Sequence, residues 1–331
     1  MIYMYKADPN RYSTMPYVKC GDSGFKLPKI SLGLWHNFGY ADNFANIEKM
    51  CRFAFDNGII YFDIANNYGY PYIGSAEENF GRVLKNGLAA YRDEICIATK
   101  AGFEMWEGPY GARHGSRKYL IASLDQSLKR IGTDYVDIFY HHIYDPTTPL
   151  METALALEQI VRSGKALYVG ISNYQAPEFD QMTKLLKELK VPFIINQLRY
   201  SMLDRTIEKR GTKDVAEKEK IGIAAFCPLE QGLLTSRYLN DVPKDSRLGK
   251  RGEKSIDPAL LEKLKKLNDI AAQRGQTLSQ MALSWILRDD ITTTALIGAS
   301  RVEQISENLK ALENTKFTKE ELDLIDSLTN Y

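Results

Sequence analysis

The chain has 331 residues, 44% of them apolar, which is enough for a large core and fits the size of one α/β barrel. Lys+Arg 43 against Asp+Glu 42 leaves a formal charge of +1, so neither nucleic acid nor an anionic membrane is implied as the main partner. No apolar stretch approaches the length needed to span a bilayer.

From the amino terminus, Met1-Ile2-Tyr3-Met4-Tyr5-Lys6-Ala7-Asp8-Pro9 lacks the basic-then-apolar pattern of a secretory signal. Tyr17–Cys20 and Lys26–Ile30 flank Gly21-Asp22-Ser23-Gly24 and predict a β-hairpin over about 17–30. Strand-like apolar runs follow at Lys29–Leu34, Ile59–Ile64, Ile95–Thr99, Tyr135–Tyr140, Ala166–Ile171, Phe193–Asn196, Ile221–Phe226 and Thr294–Ile297. The first seven recur about every 30 to 40 residues, the length of one strand–helix unit, and a longer gap precedes the eighth.

Helix signals lie between the runs. Ser75-Ala76-Glu77-Glu78 reads as a capping box opening a helix over Asn79–Leu84, and Thr277-Leu278-Ser279-Gln280 as another before Met281–Arg288. Ser116–Ile131 keeps Leu120, Leu124, Leu128 and Ile131 on one face and ends at Gly132. The long gap holds a loop, 237–254, and an extra helix, Pro258–Arg274. Eight alternating units with buried strands predict a closed (β/α)8 TIM barrel with an N-terminal hairpin and an extra helix before the last strand. No linker or low-complexity tract divides it, so the expectation is a single domain over 1–331. Cys20, Cys51, Cys96 and Cys227 are far apart with no CxxC pair. Cys51 and Cys96 read as small buried hydrophobes, and the chain as a reduced, cytoplasmic protein.

Four side chains stand at or just past the ends of three consecutive strands: Asp63, Tyr68, Lys100 and His142. In parallel strands they meet at one mouth, where a phenol, an ammonium, a carboxylate and an imidazole can polarise a carbonyl and hand it a proton. Other chemistries lack their residues. No two glycines stand two apart, which rules out the G-x-G-x-x-G dinucleotide fingerprint, and no tyrosine has a lysine four residues later. Ser23-Gly24-Phe25-Lys26 matches S-x-x-K by chance, within a hairpin turn. His141, His142 and Asp145 have no companion cluster with metal-ligand spacing, so no metal is expected.

On these residues the chain resembles the aldo-keto reductases over nearly its whole length. Phe62-Asp63-Ile64-Ala65-Asn66-Asn67-Tyr68-Gly69 and Thr99-Lys100 match that family's Asp, Tyr and Lys. The family's His stands five residues after the Asp of Tyr135-Val136-Asp137-Ile138-Phe139-Tyr140-His141-His142, which selects His142 over His141. Gly170-Ile171-Ser172-Asn173-Tyr174, Asn196-Gln197 and the segment from Ile297-Gly298-Ala299-Ser300-Arg301 to Glu307-Asn308 match its cofactor positions. Within the family, Gly33-Leu34-Trp35-His36-Asn37-Phe38-Gly39 and Ser236-Arg237-Tyr238 are most similar to the branch of bacterial glyceraldehyde 3-phosphate reductases and potassium-channel β subunits.

The resemblance implies NADPH-dependent reduction of small aldehydes or ketones, glyceraldehyde 3-phosphate and methylglyoxal-like carbonyls among them, and a homo-oligomer of four or eight copies. Tyr68 would be the general acid, with Lys100 lowering its pKa and Asp63 holding Lys100, while His142 would orient the carbonyl. NADP(H) would lie on Trp35, Asp63, Ser172, Asn173, Gln197, Phe226, Pro228, Leu229, Gly232, Arg237, Arg247, Gly298, Ser300, Arg301, Gln304 and Asn308. Arg301 suggests the 2′-phosphate of NADP(H), at a helix start that favours anions. Six basic against three acidic side chains give 237–254 a net +3, suiting a lid over an anionic cofactor. Trp35, Tyr68, Trp106 and His142 would wall the substrate pocket. Glu230 departs from the family's small residue, Arg199 is also unusual, and the sequence leaves open which of them enters the pocket. Two readings compete: a hydrolase or isomerase on the same barrel, which would bind no nicotinamide, and a β-subunit-like, redox-sensing binding protein with slow turnover. His142 favours the enzyme, because those subunits carry Asn there.

Overall fold

The computed structural model describes residues 5–110, 114–244 and 246–329. Strands β1 (Tyr17–Lys19) and β2 (Lys26–Pro28) pair antiparallel as the expected hairpin. Cys20 and Leu27, both fully buried, plug the end of the barrel where β8 and β9 begin; Cys20 Sγ lies 3.3 Å from Ile194 O. Gly21 has φ +59, and a Cβ there would meet Lys220 O at 2.2 Å, so the turn depends on glycine.

Eight parallel strands close a barrel in the order β10-β3-β4-β5-β6-β7-β8-β9. They are β3 (Ile30–Gly33), β4 (Tyr61–Asp63), β5 (Cys96–Ala101), β6 (Val136–His141), β7 (Ala166–Ser172), β8 (Phe193–Arg199), β9 (Gly222–Phe226) and β10 (Thr292–Ile297). Each apolar run of the sequence holds one of them, displaced by a few residues at its ends, as the buried strands of a parallel sheet require. Among the described residues no helix is long and apolar enough to cross a membrane.

The surrounding helices are α1 (Phe44–Asp56), α2 (Ser75–Lys85), α3 (Arg117–Ile131), α4 (Leu150–Arg162), α5 (Ala176–Glu188), α6 (Thr206–Lys209), α7 (Thr212–Glu219), α8 (Arg247–Lys250), α9 (Pro258–Gln273), α10 (Leu278–Ile286), α11 (Val302–Leu309) and α12 (Lys319–Thr329). α3 begins after Ser116, whose side chain accepts from the Tyr119 N–H, and ends on a left-handed Gly132. Thr277 and Gln280 form the reciprocal capping box expected at α10. The box expected at Ser75 does not form. There the cap is Gly74, with φ 92, and Ser75 is already helical; its hydroxyl donates to Gly69 O at 3.1 Å. The segment 237–254 contains α8, capped by Ser246, while Asp245, counted in its charge, lies outside the described residues.

Candidate active site

Parallel pairing fixes the level of each strand end. Asp63 pairs with Gly33 and Ala98, Lys100 with Tyr140, Ser172 with Gln197, and Arg199 with Phe226. Asp63, Lys100, Ser172, Gln197 and Arg199 lie at or near the carboxyl ends of their strands, the face that carries the sites of such barrels.

Asp63 and Lys100 form the centre. Lys100 Nζ donates to Asp63 Oδ2 at 2.6 Å and to Ile64 O at 2.6 Å, and the lysine is fully buried. Gln197 Nε2 donates to Asp63 Oδ1 at 2.8 Å. Lys100 Nζ stands 5.0 Å from the centre of the Tyr68 ring. Tyr68 is 8% exposed, stacks under Trp35 with ring centres 6.1 Å apart, and meets the His142 ring edge-on at 5.8 Å. The four strand-end side chains are therefore neighbours at one mouth.

Adjacent residues of β6 and its exit point apart. His141 Nδ1 makes a 2.6 Å hydrogen bond with Tyr174 OH, and His141 Cε1 would touch a Cβ placed on Gly115. His142 faces Tyr68 and Phe103 instead, the latter with ring centres 4.7 Å apart. Sequence reasoning missed Phe103. It lies past β5 in a loop without periodicity, and its only signal is an aromatic three residues after a strand-end lysine. Trp106 packs against Tyr119 of α3 at 5.2 Å; the Tyr119 hydroxyl donates to Phe103 O, so Trp106 supports the loop carrying Phe103.

The electrostatics differ from expectation at Tyr68. Burial first, then the Asp63 carboxylate, push its pKa well above 10.0, where a lowering by Lys100 was expected. The Lys100 ammonium, 5.0 Å from the ring centre and hydrogen-bonded to Asp63 and the Ile64 carbonyl, does not outweigh burial at the phenol. Burial, only partly offset by Asp63, also lowers Lys100 itself. His142 is held well below 6.5 by burial, then by Lys100 and His141, so its ring is neutral at working pH. A neutral imidazole donates from one nitrogen only, and a protonated phenol keeps its proton until a strong base forms beside it.

At the ends of β7 and β8, Asn173 Nδ2 donates to Ser172 Oγ at 3.1 Å and to His142 O at 3.0 Å. Asn173 and Gln197 thus spend amide donors on the protein and keep their amide oxygens, the acceptors that a primary carboxamide needs. Phe226 ends β9 and packs on the barrel interior, ahead of Pro228, Leu229 and Gly232. That loop has left-handed backbone at Cys227, Glu230, Gln231 and Gly232. Glu230 pairs with Arg199 and accepts from Ser201 Oγ at 2.9 Å. Arg199 is shared between Glu230 and Asp204, whose Oδ2 lies 3.0 Å from its Nε, beside a cavity of about 330 Å³.

Across the barrel, Gly298 and Ser300 precede α11, whose cap is Arg301. The Ser300 N–H donates to Gln304 Oε1 at 2.8 Å, and Asn308 is buried in the helix. Arg301 is exposed, its nearest ion-pair oxygen being that of Glu303 at 3.9 Å. Arg247 lies near enough to His36 and Cys227 to act on both electrostatically, which puts α8 over the mouth; Arg237 sits in the turn Ser236–Tyr238. Among the described residues no group of three or more His, Cys, Asp or Glu could hold a metal.

The sequence model of the Aldo/keto reductase family matches residues 29–330. The chain is 53% identical over 330 residues to the L-glyceraldehyde 3-phosphate reductase of Escherichia coli strain K12, covering 98% of this chain and 95% of that protein. It is 32% identical over 327 residues to a putative voltage-gated potassium channel subunit beta of Schizosaccharomyces pombe, with 96% and 94% covered. A probable subunit of the same kind from Arabidopsis thaliana is 32% identical over 307 residues, with 90% and 92% covered.

Proposed function

Because the chain belongs to the aldo/keto reductase family, and is thus an oxidoreductase of the NAD(P)H-using kind, we propose that it reduces small aldehydes with NADPH and that Tyr68 gives the proton. The observation that carries this reading is the convergence of Tyr68, His142 and the Asp63–Lys100 pair at one barrel mouth.

Bound NADPH supplies the hydride. The rest is done by side chains. The neutral His142 ring donates a hydrogen bond to the carbonyl oxygen and holds it against Tyr68. Tyr68 stays protonated because its site disfavours phenolate. It releases the proton only as negative charge grows on that oxygen, since an alkoxide is a far stronger base than a phenolate. Lys100 then faces the phenolate and limits its cost, while Asp63 and Gln197 keep the ammonium in place. Trp35 and Phe103 flank the mouth, against Tyr68 and His142 respectively.

The amide oxygens of Asn173 and Gln197, with Ser172, suit the carboxamide of the cofactor; Phe226 suits its ring; Pro228, Leu229, Gly232, Arg237 and Arg247 suit the pyrophosphate span. Gly298, Ser300, Arg301, Gln304 and Asn308 suit the adenosine end, and the exposed guanidinium of Arg301 favours NADPH over NADH. The higher identity to the E. coli reductase, 53% against 32% for the channel-subunit relatives, supports turnover over slow sensing. It also supports glyceraldehyde 3-phosphate or methylglyoxal-like carbonyls as substrates. We place the protein in the cytoplasm as a homo-oligomeric single-domain enzyme.

Fluorescence titrations with NADPH and NADH, followed by steady-state rates on a panel of small aldehydes, test the reading. Tight NADPH binding with sustained turnover is expected. A chain that binds neither nucleotide would overturn it.

A further inference from the structure

The barrel interior below the mouth contains two phenols that the reaction does not use. Tyr61 and Tyr140 are fully buried, in a cluster otherwise made of Cys20, Cys96, Ala98, Ile138, Ala224 and similar apolar side chains. Phenylalanine would fill the same space without burying two hydroxyls, so the hydroxyls need a reason of their own. They are linked to the site. Tyr61 OH donates to Asp63 Oδ1 at 3.2 Å and shares a 2.8 Å hydrogen bond with Tyr140 OH. A phenol has one proton. With Tyr61 donating to Asp63, Tyr140 must donate to Tyr61, so both O–H dipoles point at the carboxylate.

The fold makes room for this arrangement. Gly170 of β7 pairs with Tyr140, and a Cβ on it would stand 2.4 Å from Tyr140 Cε1. Any side chain at that position would push the ring aside.

We infer that Tyr61, backed by Tyr140, is a positioning residue that holds the Asp63 carboxylate aimed at Lys100, an assignment resting on the proposed role of that pair behind Tyr68. Asp63 then takes donors from three elements, Lys100 on β5, Gln197 on β8 and Tyr61 on its own strand. The other titratable groups facing the cluster are Tyr68, Tyr140, Cys96, Cys20 and, through Lys100, His142 and Glu77. Burial drives both inner phenols well above 10.0, so each remains a donor at every working pH. Consecutive donors polarise one another, which strengthens the last bond of the string.

The consequence is a shift in pH dependence. Without that donor the carboxylate's charge is less shared, so it holds the neighbouring Lys100 ammonium's proton more tightly. The alkaline limb of the kcat profile for aldehyde reduction should therefore move to higher pH in Tyr61→Phe, by about half a unit to one unit. Tyr140→Phe should shift it the same way by less, and the double variant should match Tyr61→Phe, because Tyr140 acts through Tyr61. A role in packing alone would lower kcat equally at all pH values and leave the limb in place.

The experiment is the pH profile of kcat with NADPH and a reactive aldehyde for the wild type, both single variants and the double. Alkaline shifts in that order support the inference. An unmoved alkaline limb in Tyr61→Phe, or shifts that add in the double variant, overturn it while the reductase reading stands. If Tyr61→Phe does not fold, Tyr140→Phe decides alone by the presence or absence of its shift. A wild type that reduces no carbonyl overturns the reductase reading and this inference with it.

Discussion

Lys100 and Asp63 form a fully enclosed ion pair, Nζ to Oδ2 at 2.6 Å, at the point where β4 and β5 leave the barrel. The pair ties stability to the site. Lys100→Met leaves a buried carboxylate with only neutral donors, Gln197 and Tyr61, and should cost about 3–5 kcal/mol in urea unfolding. Asp63→Asn combined with Lys100→Met removes the stranded charge and should recover much of that loss. A double variant as unstable as the sum of the singles would contradict the assignment.

The two histidines should separate by kinetics. His142→Ala removes the donor proposed for the carbonyl, and kcat/KM should fall about 10²–10³-fold. His141→Ala loses the bond to Tyr174 and should act on melting temperature with little change in kcat. Loss of catalysis in the His141 variant alone would place the catalytic register one residue earlier.

His142 also sets an acid sensitivity. Its folded pKa is lowered beneath 6.5, so the unfolded chain binds the extra proton in the window below that value. Stability should be complete above pH 6.5 and decline as pH falls, by up to about 1.4 kcal/mol per unit from this ring. His142→Asn should flatten that part of the curve, measured as melting temperature against pH. An unchanged slope would show that the ring titrates alike folded and unfolded.

Cofactor preference should rest on Arg301. Arg301→Ala should weaken NADPH by roughly one to two decades and NADH hardly at all, because a charge-assisted bond is worth roughly 1.5–3 kcal/mol. Added salt should shrink the difference, since the guanidinium is exposed. Equal losses for both nucleotides in fluorescence titrations would assign Arg301 to the adenine, the pyrophosphate or the fold.

What could be read in advance follows from where each signal lies. Apolar runs ending in Asp63, Lys100 and His142 are legible because a buried parallel strand has a nearly continuous apolar sequence and the charge marks its end. The Ser75 motif resembles a cap because Ser-x-x-Glu has the same spacing inside a helix as at its start, and only the left-handed Gly74 decides. Phe103 and the Arg199–Glu230 pair join loops far apart in sequence, which no local pattern records. The raised pKa of Tyr68 was hidden for a similar reason: which way Lys100 spends its charge depends on Asp63 and Ile64 O in three dimensions.

The central claim is that Tyr68 donates the proton in carbonyl reduction, and Tyr68→Phe tests it most directly. The ring under Trp35 is kept and only the hydroxyl is lost, so NADPH affinity should remain near that of the wild type. General acid catalysis contributes about 10²–10⁴-fold, and kcat for aldehyde reduction should fall by that much. A Tyr68→Phe enzyme that binds NADPH normally and retains more than about a tenth of wild-type kcat would contradict the account.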